Sequence, residues 1–426
     1  MNSTEKFSAQ TADAASMTSP APRRTRLRTA AAGLSVAALL ATTACGTVGQ
    51  ADDSSASSAD STTTAAASTE AAMTAVDGTS TTDTADSSAE VQGLAQAFAD
   101  TLDEDQLAEL NQDYSYANAT NWSNFPQQLL QNGMGGGPGG DSASSSGRVG
   151  LQISTLDDEQ RAALEELMAA ALGGEDDEGY DEVMSILAAD DYLAENYGGT
   201  DYGSENYYIA FLGEVTDSGT WELQFGGHHL AVSNTYTDGE LVSATPSFRG
   251  TEPTGEFTLD GETYDPLSQE TAAFTALAES LTEEQLAEAT TDQSDLLLGP
   301  GQDGEFPEEE GVKVSELSEE QQQLVLEAIA TYVDDLPEDE AAEYMEKYES
   351  QLEDTYVLFS GSTDFSQAGD YIRIDGPSVW IELAMQNGVA TSEPHIHSVW
   401  RDSETDYAGL TEDASSTDSS TTAAQS

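Results

Sequence analysis

Leu102-Asp-Glu-Asp-Gln-Leu-Ala-Glu109 is followed far along the chain by a near copy, Leu281-Thr-Glu-Glu-Gln-Leu-Ala-Glu288. Gly150-Leu-Gln-Ile-Ser-Thr-Leu-Asp-Asp-Glu-Gln160 is matched in the same way by Gly311-Val-Lys-Val-Ser-Glu-Leu-Ser-Glu-Glu-Gln321. The two pairs occur in the same order, and the spacing between them differs only by loop-sized insertions. Self-similarity of this kind is the sequence signature of a structural repeat. We therefore predict a two-fold internal repeat.

The repeated segments also contain the signals of helix N-termini. An Asp, Ser or Thr followed three residues later by Gln forms a capping box, in which the two residues satisfy backbone N–H groups of the first helical turn. Four such boxes occur: Asp103 with Gln106, Asp157 with Gln160, Thr282 with Gln285, and Ser318 with Gln321. Apolar residues at helical spacing follow the second box of each half, so each half is expected to open with two main helices.

Short runs rich in β-branched and aromatic residues follow the helices of each half. The predicted strands are 207–212, 221–225, 229–234 and 240–244, then 356–359, 371–374, 379–383 and 395–400. The predicted fold class is therefore α+β, with each half formed by two main helices and an antiparallel β-meander. The two halves, at about 90–265 and 266–410, are expected to pack about a pseudo-two-fold axis in one domain over 90–410.

The first 44 residues have the features of a signal peptide, because several arginines precede the apolar stretch 30–40. That stretch is shorter than the ~20 residues that span a bilayer. Small residues directly before Cys45, the only cysteine, resemble the lipobox of bacterial lipoproteins, although Thr42 replaces the usual leucine. We expect cleavage before Cys45 and lipidation of its thiol. The alternative is an ordinary secretory peptide cut near Ala44, and the sequence leaves the general secretory and twin-arginine routes open.

This N-terminus predicts an exported protein that is anchored to the cell membrane by its lipid and faces the extracellular side. Residues 45–89 are mostly Ser, Thr, Ala and Asp. Such a composition buries too little apolar surface to offset the entropy of folding, so we expect a disordered spacer. Residues 411–426 have the same composition and are expected to form a disordered tail.

The chain is strongly acidic. Its 426 residues include 80 Asp or Glu and 12 Lys or Arg, which gives a formal net charge of −68. From Cys45 onward there are 78 acidic and seven basic residues, so the mature chain would have a charge of −71. A surface of this sign repels nucleic acid and anionic lipid headgroups. We therefore exclude nucleic acid as a partner and expect membrane contact through the lipid anchor alone.

All four histidines occur in two doublets, His228-His229 and His395-Ile-His397. Alternate residues of a strand project from one face, so the imidazoles of His395 and His397 are placed to bind one ion. His228 and His229 would point to opposite faces of a strand, so one of them should join the site, and the sequence does not say which. Imidazole ligands suit a divalent metal, Zn²⁺ or Cu²⁺. The alternative is that these histidines are exposed or hydrogen-bonded in the core.

Charged residues near the second doublet are further candidates. Three carboxylates could add a ligand: Glu382, Glu393 and Asp402. Asp402 lies five residues after His397 and should point away from the ligand face, as an orienting group or a general base. Arg401 is a candidate to bind an anionic substrate or to orient Asp402. Arg249 occupies the equivalent position in the first half and is expected to be structural.

Several motifs resemble the family of bacterial exported proteins catalogued as domain of unknown function 3500. They are Asn121-Trp122, Phe225-Gly-Gly-His-His-Leu230, Thr245-Pro-Ser-Phe248, His395-Ile-His-Ser-Val-Trp-Arg-Asp402 and Asp406-Tyr-Ala-Gly409. The resemblance covers nearly all of 90–410, and its two histidine motifs are specific. It implies one exported domain of this family. The family has no assigned activity, so the resemblance implies no reaction.

Two functions from different classes fit these observations. The first is a cell-surface lipoprotein with a His-rich divalent metal site, which would include a metal-dependent enzyme. The second is a metal-free extracellular binding or scaffold module, in which some of the four Trp and 16 Tyr residues hold a polymer or small-molecule ligand on the sheet surface. The chain lacks the Walker lysine motif, G-x-S-x-G and H-E-x-x-H, so the sequence gives no direct sign of common nucleotide-binding or hydrolytic sites.

Overall fold

The computed structural model describes residues 87–131, 148–174, 177–303 and 305–412. The predicted signal peptide, Cys45, almost all of the predicted spacer and all but two residues of the predicted tail lie outside the described residues. The first helix begins at Ser87, three residues before the predicted domain boundary. Within the described ranges, we find no helix with the length and apolarity needed to cross a membrane.

The helices of the described residues fall in two stretches of the chain. The first is α1 (Ser87–Asp100), α2 (Glu104–Leu110), α3 (Tyr116–Ala119), α4 (Gln127–Gln131), α5 (Asp158–Ala171) and α6 (Gly179–Leu193). The second is α7 (Ser268–Ser280), α8 (Glu283–Ala289), α9 (Glu319–Val333) and α10 (Glu338–Gln351).

Each half thus contains more long helices than the predicted two main helices. Helices α1, α6, α7 and α10 have 13 to 15 residues and were not predicted. Helices α6, α7 and α10 begin after Glu178, Leu267 and Pro337, none of which makes a side-chain capping hydrogen bond. The sequence therefore lacked the start signal that identified the other helices.

Twelve strands of the described residues form one mixed sheet, which confirms the α+β class, and two more form a separate hairpin. The strands are β1 (Asn111–Gln112), β2 (Leu151–Gln152), β3 (Tyr208–Leu212), β4 (Thr220–Gly227), β5 (Leu230–Thr237), β6 (Glu240–Ser243), β7 (Ser247–Thr251), β8 (Phe257–Leu259), β9 (Glu262–Tyr264), β10 (Val312–Lys313), β11 (Tyr356–Ser360), β12 (Tyr371–Asp375), β13 (Val379–Gln386) and β14 (His395–Asp402). Their order is β1-β3-β4-β5-β7-β14-β13-β12-β11-β10, with β2 beside β3 and β6 beside β5.

Strand β7 joins the two halves, because it pairs with β5 on one side and with β14 on the other. The sequence placed the fourth strand of the first half at 240–244 instead. That segment is β6, which folds back on β5 through the turn at Asp238-Gly239. The second half is a continuous antiparallel meander from β11 to β14, as predicted.

The two faces of the sheet differ. Alternate residues of β14, such as Ile396 and Trp400, belong to an apolar cluster with α7 and α9, so this is the helical face. On the other face, Val399 packs in a cluster with Trp122, Phe248 and Tyr407. Among the described residues, the cluster on this open face contains connecting segments and the short helix α3, and no residue of the long helices. Because His395 and His397 alternate with Ile396, they project from the open face.

The structure confirms all four capping boxes, with side-chain and backbone hydrogen bonds in both directions. The glutamines of the two boxes in one half also meet. The amide groups of Gln106 and Gln160 exchange hydrogen bonds of 3.0 and 2.8 Å, and those of Gln285 and Gln321 exchange bonds of 3.1 and 2.9 Å. Each half therefore ties its two capped helix starts together through a glutamine pair.

Ser318→Ala should destabilise the domain by about 1 kcal/mol, because it removes the hydroxyl that accepts the N–H of Gln321 at the start of α9. Ser318→Gly should cost only a few tenths of a kcal/mol, since glycine is tolerated at an N-cap. Urea unfolding followed by circular dichroism measures both values. Equal stability of wild type and Ser318→Ala would contradict this role of the cap.

Candidate metal centre

The first histidine doublet lies in a tight turn. Gly227 pairs with Leu230, so His228 and His229 are the two residues that connect β4 to β5. His229 has a φ of 63°, in the left-handed region, and its ring stacks on that of His228 with 3.7 Å between centroids. The expectation that they point to opposite faces of a strand was therefore wrong, because a two-residue turn does not alternate like a strand.

His229 is the member of this doublet that meets the second doublet. One nitrogen each of His229, His395 and His397 lies within 4.8 Å of the other two. The Nε2 atoms of His395 and His397 are 3.0 Å apart. Two nitrogens bound to one ion at ~2.05 Å lie about 2.9–3.4 Å apart at angles near 90–110°, so this pair has the spacing of metal ligands.

His228 has a different partner. Its Nδ1 lies 2.6 Å from Asp190 Oδ1 on α6, and the second oxygen of Asp190 accepts the N–H of Gly203 at 2.9 Å. The Tyr207 hydroxyl donates to the backbone oxygen of His228. These contacts fix one side of the turn, and the stacked ring of His228 supports that of His229.

Strand register explains why the three rings converge. His397 pairs with Gly250 on β7, and Leu230 at the start of β5 pairs with Arg249. Gly250 therefore lies in the row between His397 and His229. A Cβ added to Gly250 would lie 3.3 Å from Cδ2 of both rings and 2.9 Å from the backbone oxygen of Ile396. The missing side chain is what leaves room for two imidazoles.

The site is buried and its imidazoles are held neutral. His229 and His395 are 5% and 2% exposed, whereas His397 is partly exposed. Burial and neighbouring imidazoles hold the pKa of His229 and His397 well below the ordinary value, and burial lowers that of His395. A neutral imidazole is the form that binds metal, so this donor set fits a divalent ion.

Two polar residues frame the cluster. Asn124 Nδ2 lies 3.4 Å from His397 Nδ1. The backbone N–H of His229 donates to the backbone oxygen of Asn124 at 3.4 Å. Glu252 is buried and its Oε1 accepts backbone N–H groups from the loop before His395, including that of Thr391 at 2.6 Å. Asn124 thus contacts both doublets, while Glu252 fixes the approach to His395.

The structure does not bring Asp402 to this site. Asp402 projects from the helical face, where its carboxylate accepts hydrogen bonds from Lys347 Nζ at 2.8 Å and from the Tyr348 hydroxyl at 2.8 Å. Five residues of strand separate it from His397, which is about 17 Å at ~3.3 Å per residue. The odd spacing indicated the correct face, but the carboxylate anchors α10 and cannot orient a ligand of the cluster.

Arg401 lies on the open face, four residues beyond His397, and its guanidinium is fully engaged. It contacts Asp406 through Nε at 3.1 Å and Asp303 through Nη2 at 3.2 Å. Asp303 also accepts the hydroxyl of Tyr407, which in turn accepts from Trp122 Nε1 at 2.8 Å. Arg401 therefore ties covering segments to the sheet and is not free to bind a substrate.

Arg249 is not the structural counterpart of Arg401. It projects from the helical face, where it forms ion pairs with Glu182 and Asp335. The predicted structural role agrees with these contacts, but the two arginines lie on opposite faces of the sheet.

The other carboxylates suggested as ligands also lie elsewhere. Glu382 accepts the N–H groups of Leu297 and Leu298 and two aromatic donors, so its oxygens are saturated. Glu393 is exposed and lies outside the group of converging ligand atoms. The third residue of the converging group, His229, comes from the first doublet.

Sequence reasoning missed the residues that shape the centre. Asn124 follows the Asn121-Trp122 motif closely, and Gly250 follows Arg249, so both lie beside positions that the sequence singled out. Asp190 and Glu252 had no such signal, because they belong to a helix and a strand end whose partners are distant in sequence.

Acidification below about pH 6.5 should destabilise the domain through these histidines. The unfolded chain has histidines of ordinary pKa near 6.5, whereas those of His229 and His397 are well below it, so the unfolded state binds more protons. The free energy of unfolding should then fall by up to about 1.4 kcal/mol per pH unit for each histidine. Urea unfolding with a chelator present, between pH about 7.5 and about 5, should show a shallower fall for His397→Gln than for wild type. The same slope in both proteins would contradict this effect.

Comparison with family models agrees with the family resemblance of the sequence motifs. No curated protein and no solved structure matches the chain. The family model described as "Protein of unknown function (DUF3500)" matches residues 84–409, which include both histidine doublets. The chain therefore belongs to this family.

Proposed function

We propose that the protein is an exported, lipid-anchored metalloprotein that binds Zn²⁺ or Cu²⁺ through His229, His395 and His397. The observation that supports this most is the convergence of three neutral imidazoles from two distant segments. The 3.0 Å contact of His395 with His397 is also that of a hydrogen bond between neutral imidazoles, so the support for a metal comes from the third ring, His229, which lies beside both. Metal binding would use all three.

Three neutral ligands favour an enzyme over a structural ion. A structural zinc site is closed by four protein ligands, whereas a catalytic one keeps a position for water or substrate. A Zn²⁺ ion held by three imidazoles keeps its full charge and lowers the pKa of a bound water to near 7, which is the chemistry that it would supply here. Asn124, beside His397, would orient that ring and exclude bulk water from one side.

An acidic cavity lies beside His228. It has a volume of about 440 Å³ and includes Tyr202, whose ring lies 5.2 Å from that of His228. Its lining contains four acidic residues: Asp191, Glu195, Glu205 and Asp260. The cavity adjoins His228 and not the three converging histidines, so its negative lining would repel only an anion that approached from the His228 side.

A metal-free binding surface is the less supported alternative. All four tryptophans are at most 7% exposed. Among the described residues, the large apolar side chains that are well exposed are Tyr197 and Val389. The tryptophans therefore pack inside the protein and do not form an open sheet surface for a polymer.

We also propose that the two halves are structural repeats around the β7–β14 junction. The matched capping boxes, the paired glutamines and the similar series of helices support this. The histidines would then be a site added to one side of a duplicated scaffold, since the sequence matches give neither doublet a counterpart in the other half.

Metal analysis tests the main proposal. Protein purified without chelators or nickel resin should contain about one equivalent of Zn or Cu, measured by elemental analysis. His395→Ala/His397→Ala should reduce this to background, and Gly250→Ala should weaken binding although it keeps every donor. Asp402→Asn is the matched control: it changes the same strand on the other face and should keep its metal.

Metal far below one equivalent in the wild type, unchanged in the double variant, would favour the metal-free module. Loss of metal in Asp402→Asn alone would show that the ligands lie elsewhere.

Lipid anchoring has a separate test at Cys45, which lies outside the described residues. Cys45→Ser removes the thiol that would be acylated, so the variant should move from membrane pellets to the soluble fraction in the native host. Mass spectrometry of the wild-type N-terminus should show a diacylglyceryl-modified cysteine. A variant that still pellets at high salt would contradict the lipid anchor without affecting the metal proposal.

A further inference from the structure

A second cluster of ligand-type side chains lies away from the histidines. One carboxylate oxygen each of Glu178, Glu182 and Glu270 lies within 4.8 Å of the other two. Their exposed fractions are 6%, 2% and 1%. Glu178 and Glu182 are one turn apart at the start of α6, and Glu270 lies in the first turn of α7. We call these three residues the glutamate cluster.

The cluster is only partly compensated by the protein. Glu182 forms an ion pair with Arg249 Nε at 2.9 Å, and Arg249 Nη2 is also paired with Asp335 at 3.0 Å. Glu270 contacts the carboxyl group of Glu182, and no side chain or backbone donor of any other described residue satisfies its oxygens, while Oε2 of Glu178 has no hydrogen-bond partner there. Buried carboxylate oxygens without partners are rare, because losing water without a replacement costs several kcal/mol.

The surroundings of Arg249 favour protonation of the glutamates. Burial raises the pKa of Glu178 to about 10 and that of Glu270 to about 8, and burial with neighbouring carboxylates raises the pKa of Glu182 well above its ordinary value, so without a cation these acids are protonated at neutral pH. The N-terminal ends of α6 and α7 contribute partial positive charge there, but this amounts to about half a charge for each helix. A bound cation would displace these protons and contact the freed carboxylate oxygens directly.

An adjacent cavity gives such an ion room and a route of entry. Its volume is about 210 Å³, and Glu182 and Glu270 lie on its wall together with Asp177, Asp265 and Tyr264. Calcium takes six to eight oxygen ligands at about 2.3–2.6 Å and completes its shell with water. Three carboxylates, some of them bidentate, and cavity water meet that requirement, whereas imidazole metals prefer nitrogen.

We propose that Glu178, Glu182 and Glu270 bind a hard divalent cation, Ca²⁺, at a site distinct from the histidine centre. Bound calcium would link the start of α6 to the start of α7, and so join the two halves on the helical face of the sheet.

Terbium luminescence tests this site, because Tb³⁺ replaces Ca²⁺ at carboxylates and Tyr264 on the cavity wall can sensitise its emission. The full mature chain, treated with chelator and then given Tb³⁺, should show tyrosine-excited emission that Ca²⁺ displaces. Added CaCl₂ should also raise the midpoint of thermal unfolding. Glu270→Gln, which keeps the shape and removes one charge, should weaken Ca²⁺ binding at least tenfold and abolish the thermal shift.

Matched control variants distinguish calcium binding at the glutamate cluster from binding to surface carboxylates and to the histidines. Glu262→Gln removes the same charge from an exposed position on β9 and should leave the response unchanged. His395→Ala/His397→Ala should also retain it. If Glu270→Gln fails to fold, Glu178→Gln at the edge of the cluster tests the same point. The proposal is overturned if calcium gives no thermal shift in the wild type, or if Glu262→Gln weakens binding as much as Glu270→Gln does.

Discussion

The antiparallel pairing of β7 with β14 is the constraint on which the rest of the structure depends. It fuses the strands of the two halves into one sheet, and its register sets His397 against Gly250. Pairing of β7 with β5 then places the His228-His229 turn beside the same glycine. A shift of this register by one residue would turn His397 to the helical face and separate the three imidazoles. The candidate centre is therefore a property of the junction and belongs to neither half alone.

Adjacent residues of β7 supply opposite faces of that junction. Gly250 leaves space for the histidines on the open face, whereas the side chain of Arg249 forms an ion pair with Glu182 near the start of α6 on the other face. The same alternation separates His397 from Asp402 on β14. The group of three histidines and the glutamate cluster thus lie on opposite sides of one sheet.

The sequence predicted those parts of the molecule that local signals determine. Capping boxes located four helix starts, and alternation placed His395 and His397 on one face. The sequence did not predict helices α6, α7 and α10, because their N-cap residues make no side-chain hydrogen bond. Tertiary packing alone defines where these helices begin. The sequence also did not show that His229, and not His228, lies beside the second doublet. This placement depends on a turn in which His229 has a left-handed φ, and the alternation of side chains along a strand does not apply to a turn. The partners Asp190 and Asn124 come from distant segments, and a single sequence contains no signal for such contacts.

Ligand chemistry gives the two proposed sites different ions. Nitrogen donors without charge bind Zn²⁺ or Cu²⁺ strongly and bind Ca²⁺ poorly, whereas a set of carboxylates suits the harder cation. The geometry agrees, because the His395–His397 spacing fits a small ion, and the glutamate cluster lies beside a cavity with room for the waters of a larger one. The β7–β14 junction would then hold one ion for chemistry and another for joining the halves.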